Sequence, residues 1–335
     1  MSINIGLDIG AVSLKLAAMG GPDDLAKLQA HGPSSGSFLI TAFPAGSSYG
    51  GQPLVISRYR RIQGSPIQST FDLLKEFYDL VPEASVEGIR VTGSGSRLIA
   101  KILGIYFENE FRAVAKGIRT FCPEVRSVFE MGGESSKYIR LEPTAKSRYL
   151  GIVDYETSGD CAAGTGSFID QQASRLLYSV EDVGGAACSA TCSARIAGRC
   201  SVFAKTDMIH AQQKGYTADQ ILRGLCDAVA RNFKSAVVKG RQVTPPVAFI
   251  GAVALNQGVR DALRQAFKLD ETSFVVPEHY AWMGALGAAM LEAEERRKRS
   301  FRTIHQLQQH AAEKKSFACS DALSMESVLL LREVG

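Results

Sequence analysis

Several features of exported, membrane-bound or nucleic-acid-binding proteins are scarce in this 335-residue chain. Lys and Arg outnumber Asp and Glu by only 38 to 34, so the charge gives no reason to expect a nucleic-acid partner. No apolar run approaches the length of a membrane span, and the N-terminus lacks a charged leader with an apolar stretch behind it. We therefore expect a cytoplasmic protein with neither nucleic acid nor membrane as its partner.

Disulfides are not expected either, because cytoplasmic thiols stay reduced. The number of cysteines is odd, and four of the seven lie between residues 161 and 200. A thiol cluster in a reducing compartment favours a metal site or catalysis. The seven are Cys122, Cys161, Cys188, Cys192, Cys200, Cys226 and Cys319.

Strand-like segments, at 3–9, 13–19, 127–131 and 247–250 among others, alternate with helix-like segments such as that at 217–238, which predicts an α/β fold. The opening IGLDIGAVSLKLA shares its layout with VFEMGGESSKYIR at 128–140: a strand, an acid, a glycine turn, hydroxyls and a lysine. This duplication predicts two lobes around a nucleotide cleft. The expected division is a first lobe at 1–122, a second lobe at 123–280, a helix at 281–299 returning to the first lobe, and a linker-like tail at 300–335.

The first turn follows the strand at 3–9 and is a candidate phosphate site. Gly10 would let backbone amides approach a phosphate, and Ser13 and Lys15 would add donors. Asp8 would hold Mg²⁺ through water, since Mg²⁺ keeps much of its hydration shell. Taken alone, the segment is a weak signal, and a plain β-turn is the favoured interpretation.

The second turn offers the same groups in the second unit. Glycines 132 and 133 follow the acid Glu130, and Ser135 and Lys137 follow the glycines. Two such turns could face each other across one cleft and hold the β- and γ-phosphates from both sides. We take Asp8, Glu130 and Glu134 as the candidate catalytic carboxylates.

A third segment, FIGAVALNQGV at 249–259, places small residues where a buried strand meets a helix. Gly251, Ala252 and Asn256 would let adenine and ribose lie on backbone beside a helix N-terminus. Close helix–strand packing is the alternative for this segment. The three elements in this order resemble the acetate and sugar kinase/Hsp70/actin superfamily, which implies the two-lobed, ribonuclease H-like ATPase fold but no particular function.

The cysteine segments are more specific than the turns. In CAAGTGSF at 161–168, Gly164 and Gly166 would bring backbone close to whatever Cys161 holds, and a predicted helix begins just afterwards. Cys200 also directly precedes a predicted helix, a position that favours thiolate. Neutral, buried cysteines are the alternative for both.

With CSVFAKTDMIH at 200–210 and TGSGS at 92–96, these motifs resemble the activator ATPases of 2-hydroxyacyl-CoA dehydratases and benzoyl-CoA reductases (BadF/BadG/BcrA/BcrD type), from residue 3 to about 291. The resemblance implies ATP and Mg²⁺ as cofactors and a 4Fe–4S cluster shared by a homodimer, with Cys161 and Cys200 as its ligands in each chain. It also implies ATP-driven electron transfer to a dehydratase or reductase component, with ferredoxin or flavodoxin as electron donor.

The chain departs from the pattern of that family at four places. Glu130 stands where Asp is usual, Glu134-Ser135 replaces Gln-Asp, Val114 replaces His, and Ala252 replaces Gly. These changes put the rate of hydrolysis in question more than nucleotide binding.

Four possibilities stay open at this point. Cys161, Cys188, Cys192 and Cys200 could form a four-thiolate zinc or cluster site within one chain. The protein could instead be a nucleotide sensor with little hydrolysis, or a small-molecule kinase of the same fold. The ending SMESVLLLREVG resembles the linker of larger activators with two ATPase units in tandem, so the chain could be a first repeat.

Overall fold

The computed structural model describes residues 1–24, 28, 36–62, 64–144, 147–159, 163–295 and 301–312. Two β-sheets lie in separate halves of the chain, the first within residues 3–107 and the second within 127–275. Their strands are β1 (Ile3–Ile9), β2 (Ser13–Met19), β3 (Phe38–Ala42), β4 (Pro53–Ser57), β5 (Arg60–Arg61), β6 (Val86–Thr92), β7 (Tyr106–Phe107), β8 (Ser127–Met131), β9 (Ser136–Thr144), β10 (Ser147–Thr157), β11 (Val247–Ile250) and β12 (Phe274–Val275).

The two sheets repeat one arrangement. In the first, β1 forms an antiparallel hairpin with β2 and pairs in parallel with β6, in the order β3-β4-β2-β1-β6-β7, with β5 on β2. In the second, β8 forms an antiparallel hairpin with β9 and pairs in parallel with β11, in the order β10-β9-β8-β11-β12. The register places Asp8 opposite Lys15 and Glu130 opposite Lys137. Equivalent acid–lysine pairs therefore stand at the end of each hairpin.

Helices fill the space between and around the sheets. They are α1 (Pro66–Leu80), α2 (Ser96–Leu103), α3 (Glu110–Phe121), α4 (Gly166–Ala173), α5 (Val183–Ser189), α6 (Ser201–Gln213), α7 (Ala218–Asn232), α8 (Gln257–Phe267), α9 (Met283–Glu295) and α10 (His305–Ala312). None of the helices in these ranges is long and apolar enough to cross a membrane.

Helices α3 and α9 cross between the two sheets and share one apolar cluster with both of them. Glycine allows the crossing to be close: a Cβ on Gly287 would lie 1.7 Å from the Ala113 carbonyl oxygen, and one on Gly117 would lie 2.6 Å from that of Met283. Helix α9 also packs on β1 and β6. The first lobe therefore meets the second through a pair of helices, with the two hairpin turns at one side.

Helix α7 shows how local sequence determines an element. Thr217 and Gln220 form a capping box at its start, and Ile221, Leu225 and Val229 bury one face at helical spacing. The prediction of a regular helix to about 238 was wrong at the end, because residues 233–238 form a π-helix.

The prediction of a linker-like tail at 300–335 was wrong for the first part of that range. Residues 305–312 form α10, which packs on α1 and α2, and Ile304 and Leu307 are buried in the core of the first lobe. The sequence here is polar, and its two buried apolar residues do not form a helical hydrophobic period strong enough to predict a packed helix. Residues 313–335 lie outside the described part of the chain.

Candidate nucleotide site and cysteine segments

The two glycine turns have the same internal geometry. In the first, Gly10 N–H donates to the Ser13 carbonyl at 2.9 Å, and in the second, Gly132 N–H donates to the Ser135 carbonyl at 2.9 Å. Each turn closes a hairpin of a different sheet. The predicted equivalence of the two turns therefore extends to their backbone hydrogen bonds.

The turns also face each other. A Cβ placed on Gly133 would lie 2.6 Å from Val12 Cβ, so the second turn touches the first directly. Behind the first turn, Gly95 N–H donates to the Ile9 carbonyl at 2.8 Å, and Gly93 has a φ of 98°, where an added Cβ would lie 2.7 Å from Asp8 Oδ1. Residues 92–96 therefore support the first turn from the side of its own lobe.

Each turn carries a buried lysine paired with the acid of its hairpin. Lys15 Nζ lies 3.3 Å from Asp8 Oδ2, and Lys137 Nζ lies 3.3 Å from Glu130 Oε2. Both lysines are less than a tenth exposed. The structure thus brings Asp8 and Glu130 together with the predicted lysines of both units, where ammonium groups can neutralise phosphate and carboxylates can bind hydrated Mg²⁺.

Glu110, in the first turn of α3, is a third carboxylate at this site and was missed from the sequence. Its Oε2 lies 2.8 Å from Lys137 Nζ, closer than Glu130 does. The one available signal was Asn109, whose side chain caps α3 by accepting from two backbone amides and so fixes the position of the first helical turn.

This cluster shifts the protonation of its members. Burial raises the pKa of Glu130, against the opposing effect of the Lys137 charge. Burial alone would lower the pKa of Lys137, but the charges of Glu130 and Glu110 outweigh it and the pKa is raised. Lys137 therefore stays charged, and Glu130 takes up a proton at a higher pH than an exposed carboxyl group does.

Two positions where the chain departs from the resembled pattern differ in burial. Glu134 is exposed on the second turn, and Val114 is 3% exposed in the cluster between the sheets.

A cavity of about 230 Å³ opens beside the turns, with walls from both lobes. The first lobe contributes Val12, Tyr59 and Arg61, and the second contributes Gly133 and the start of α4. The predicted adenosine segment forms another wall through residues 252, 253, 255 and 256, and Trp282 lies nearby on the same surface. A ligand here would contact the second turn and the adenosine segment together.

Within that segment, the local structure explains why glycine stands at position 251 and asparagine at position 256. Gly251 has a φ of 88°, and a Cβ there would lie 2.3 Å from the Met131 carbonyl oxygen. Asn256 caps α8 by accepting from Val259 N–H at 3.0 Å, while its buried Nδ2 has no hydrogen-bond partner among the described residues. An unpaired donor in a cavity wall fits a polar ligand such as a nucleoside.

The segment that contains Cys161 is tied to the second turn on both flanks, although residues 160–162 lie outside the described part. After it, Gly166 N–H donates to the Gly132 carbonyl at 2.9 Å, and Ser167 N–H donates to the Gly133 carbonyl at 2.7 Å. Before it, Ser158 N–H donates to the Ser136 carbonyl at 2.8 Å. The turn and the cysteine segment therefore share one hydrogen-bond network.

Gly164 fixes the path of the chain just after Cys161. It has a φ of 76°, its carbonyl accepts from Ser136 Oγ at 3.1 Å, and an added Cβ would lie 2.6 Å from Asn232 Nδ2. The same Asn232 Nδ2 donates to the Ala163 carbonyl at 3.0 Å. These small residues were predicted to bring backbone close to a bound group. In the structure they pack against the end of α7.

Cys200 is half-buried at the N-cap position of α6. The loop before it is held by Asp207, whose Oδ2 accepts from Ala197 N–H at 2.8 Å. Just after it, Val202 and Phe203 are 65% and 66% exposed. Cys200 therefore combines a helix N-terminus, which favours thiolate, with exposed apolar side chains beside it.

The remaining cysteines of the described ranges differ in environment. Cys188 and Cys192 are exposed, and Cys122 and Cys226 are buried. Burial raises the pKa of Cys122 to about 11 and that of Cys226 to about 12, so both stay neutral thiols. No three His, Cys, Asp or Glu side chains in these ranges form a group that could hold a metal, so Cys188, Cys192 and Cys200 do not assemble one.

Comparison with known proteins agrees with this architecture. The activator of lactoyl-CoA dehydratase from Anaerotignum propionicum is 30% identical over 191 residues, which are 57% of this chain and 70% of that protein. A benzoyl-CoA reductase component from Thauera aromatica is 25% identical over 228 residues, which are 66% of this chain and 78% of that protein.

Among solved structures, the activator of the 2-hydroxyisocaproyl-CoA dehydratase from Clostridium difficile with bound ADPNP superposes with a TM-score of 0.67 at 21% identity. The match covers 95% of this chain and all of that one. This similarity confirms the two-lobed, actin-like ATPase fold predicted from the sequence. The model of the BadF/BadG/BcrA/BcrD ATPase family matches residues 5–292, and because that is most of the chain, the protein belongs to this family of ATPases.

Proposed function

We propose that this chain binds Mg–ATP between its two turns and uses it to deliver an electron to an acyl-CoA dehydratase or reductase. In this proposal Cys161 and Cys200 hold a 4Fe–4S cluster jointly with a second copy of the chain, and a ferredoxin or flavodoxin supplies the electron. The observation that carries it is the hydrogen-bond network joining the second turn to the segment that contains Cys161.

The nucleotide part of the proposal rests on the matched charges of the two turns. Amides at the glycines of each turn can approach phosphate oxygens, and Lys15 and Lys137 place one ammonium group on each side of the cleft. Asp8 would hold Mg²⁺ through its water shell. Because the turns belong to different lobes, a nucleotide between them would fix the distance between the lobes.

The coupling part follows from the backbone. Gly132 and Gly133 accept from the amides of Gly166 and Ser167, so any displacement of the second turn moves the start of α4. The residue before that helix, Thr165, is only four positions from Cys161. Phosphate binding would therefore shift the backbone around one of the two candidate thiols.

The cluster part is supported by the chemistry of the donors. A single chain offers two thiols at these motifs, whereas a cubane takes four, and a twofold axis would supply the other pair. The exposed Val202 and Phe203 beside Cys200 provide apolar surface for a second copy to cover. When bound, such a cluster supplies one-electron transfer at low potential.

A second candidate, a nucleotide sensor with little hydrolysis, is favoured by one observation. The resembled pattern has an amide where this chain has Glu134, and Glu134 is exposed on the turn. The two candidates are separated by measuring nucleotide binding and phosphate release on the same sample. Binding without release supports the sensor.

Anaerobic purification tests the main proposal, with iron content and native mass measured together. We expect a dimer with about four iron atoms, and loss of that iron in C161S and in C200S. The exposed cysteines provide matched controls, and C188S and C192S should keep the iron. A wild-type protein without iron, or an iron-loaded monomer that loses its metal in C188S, would contradict the proposed shared cluster.

A further inference from the structure

Besides the buried pair of Glu110 with Lys137, an exposed ion pair joins the two lobes beside the nucleotide cavity. Arg61, on β5 of the first lobe, lies with its Nη2 2.7 Å from Oδ2 of Asp170, on α4 of the second lobe. Arg61 also lines the cavity. No sequence pattern indicates this pair, because its partners are 109 residues apart.

Each partner is attached by backbone to a different phosphate turn. Arg61 pairs with Ser13 in the sheet, and the next residue, Ile62, donates its N–H to the Val12 carbonyl at 2.8 Å. Asp170 lies four residues after Gly166, whose amide donates to the second turn. The Arg61–Asp170 distance therefore follows the distance between the two turns.

We propose that Arg61 and Asp170 form an electrostatic latch that keeps the lobes closed over the nucleotide and slows its release. The inference rests on the proposed binding of ATP between the turns. Opening the lobes would withdraw Val12, Tyr59 and Arg61 from the cavity wall and remove these contacts from the ligand. Both are positioning residues, since they act through lobe closure.

The size of the effect follows from exposure. The side chains of Arg61 and Asp170 are 43% and 40% exposed, and pairs of this kind shift an equilibrium by about 1.4- to 5-fold. Because the Arg61 guanidinium makes a short contact with Asp170, we expect the effect of this pair to lie toward the upper end of that range. Because exposed charges are screened by salt, the latch should weaken as ionic strength rises.

The neighbouring residue provides a matched control. Arg60 Nη2 lies 2.6 Å from Glu76 Oε2, with side chains 30% and 38% exposed, but both residues belong to the first lobe. That pair has nearly the same distance and exposure and does not cross the cleft. Its loss should leave nucleotide release unchanged.

The experiment measures release of mant-ATP, bound with Mg²⁺, when excess ATP is mixed in by stopped flow. Energy transfer from Trp282, the single tryptophan and a cavity residue, reports the bound state. We expect R61Q and D170N each to release the probe about two- to fivefold faster. The double variant should be no faster than either single one, and R60Q and E76Q should match the wild type. Added salt should accelerate release from the wild type more than from R61Q.

Other results would overturn the latch. If R61Q is fast while D170N is unchanged or slower, Arg61 acts on the nucleotide directly and not through closure. If all four variants release at the wild-type rate, the pair does not hold the lobes. A wild-type protein that binds no mant-ATP would overturn the proposed nucleotide function itself. This failure is distinguishable from the others, because it is seen in the wild type before any variant is compared.

Discussion

Replacing Arg90 with Met should be among the most destabilising single changes in this chain. Arg90 is fully buried, and its guanidinium donates to Glu108 Oε2 at 2.7 Å, Glu292 Oε2 at 2.9 Å and Glu295 Oε2 at 2.7 Å. These carboxylates belong to the segment before α3 and to the end of α9. The network therefore fixes both crossing helices and, through α3, the position of Glu110 in the cleft.

The loss of folding stability in R90M depends on which of the three carboxylates lose their hydrogen-bond partners. Glu108 keeps Arg112 at 2.8 Å and the Asn109 amide at 3.0 Å, and Glu295 keeps Arg112 at 2.7 Å. Glu292, only 6% exposed, loses its hydrogen bond from Arg90 and stays buried. Removing one partner of a buried pair costs about 3–5 kcal/mol, and since two of the three carboxylates keep a partner we expect about 3 kcal/mol.

Urea unfolding at pH 7, followed by circular dichroism, provides the measurement. Adding E292Q to R90M should recover about 1–2 kcal/mol, because it removes the unpaired buried charge. R60M, which breaks an exposed pair, serves as the control and should cost no more than about 1 kcal/mol. A loss below about 1 kcal/mol in R90M, or no recovery in R90M/E292Q, would refute the reasoning.

Three further predictions concern the site and its supports. K137M should weaken Mg–ADPNP binding in calorimetry by about tenfold or more, because it removes a charged phosphate donor, and unchanged affinity would contradict that role. G164A should speed anaerobic iron loss to a chelator, because Gly164 has a φ of 76° and the new Cβ would lie 2.6 Å from Asn232 Nδ2. The matched variant G159A, at a φ of 65° with open space around it, should lose iron more slowly than G164A does. Hydrogen bonds from Arg90 and then Arg112 lower the pKa of Glu295 from 4.5 to about 2, so this group stabilises the fold above about pH 4.5 and stops doing so as pH falls toward 2. Acid titration of E295Q should show a flatter loss of stability across that interval than the wild type does.

The elements predicted best from the sequence are those whose signals are local. The strands at 3–9, 13–19, 127–131 and 247–250 have the predicted bounds, because apolar runs end at glycine turns or begin after Pro246. The same short motif carries the acid and the lysine of each hairpin, and the tight turn sets the register that places them opposite each other in the structure.

The parts that were missed depend on tertiary packing. Glu110 reaches Lys137 only because α3 crosses between the sheets, and Arg61 meets Asp170 only when two lobes close. Nothing in the spacing of these residues encodes either contact. The helix around Leu307 was missed for a related reason, since its burial comes from a groove on α1 and α2 and not from its own apolar period.

The account depends most directly on one nucleotide being shared by two turns from different lobes. Calorimetric titration of Mg–ADPNP into wild type, D8N and E130Q tests this, since both changes keep the shape of the side chain and each removes one carboxylate from a different turn. We expect one site per wild-type chain and affinity lowered about tenfold or more in both variants, with E76Q unaffected. Binding that persists unchanged in either D8N or E130Q would contradict a site built from both turns.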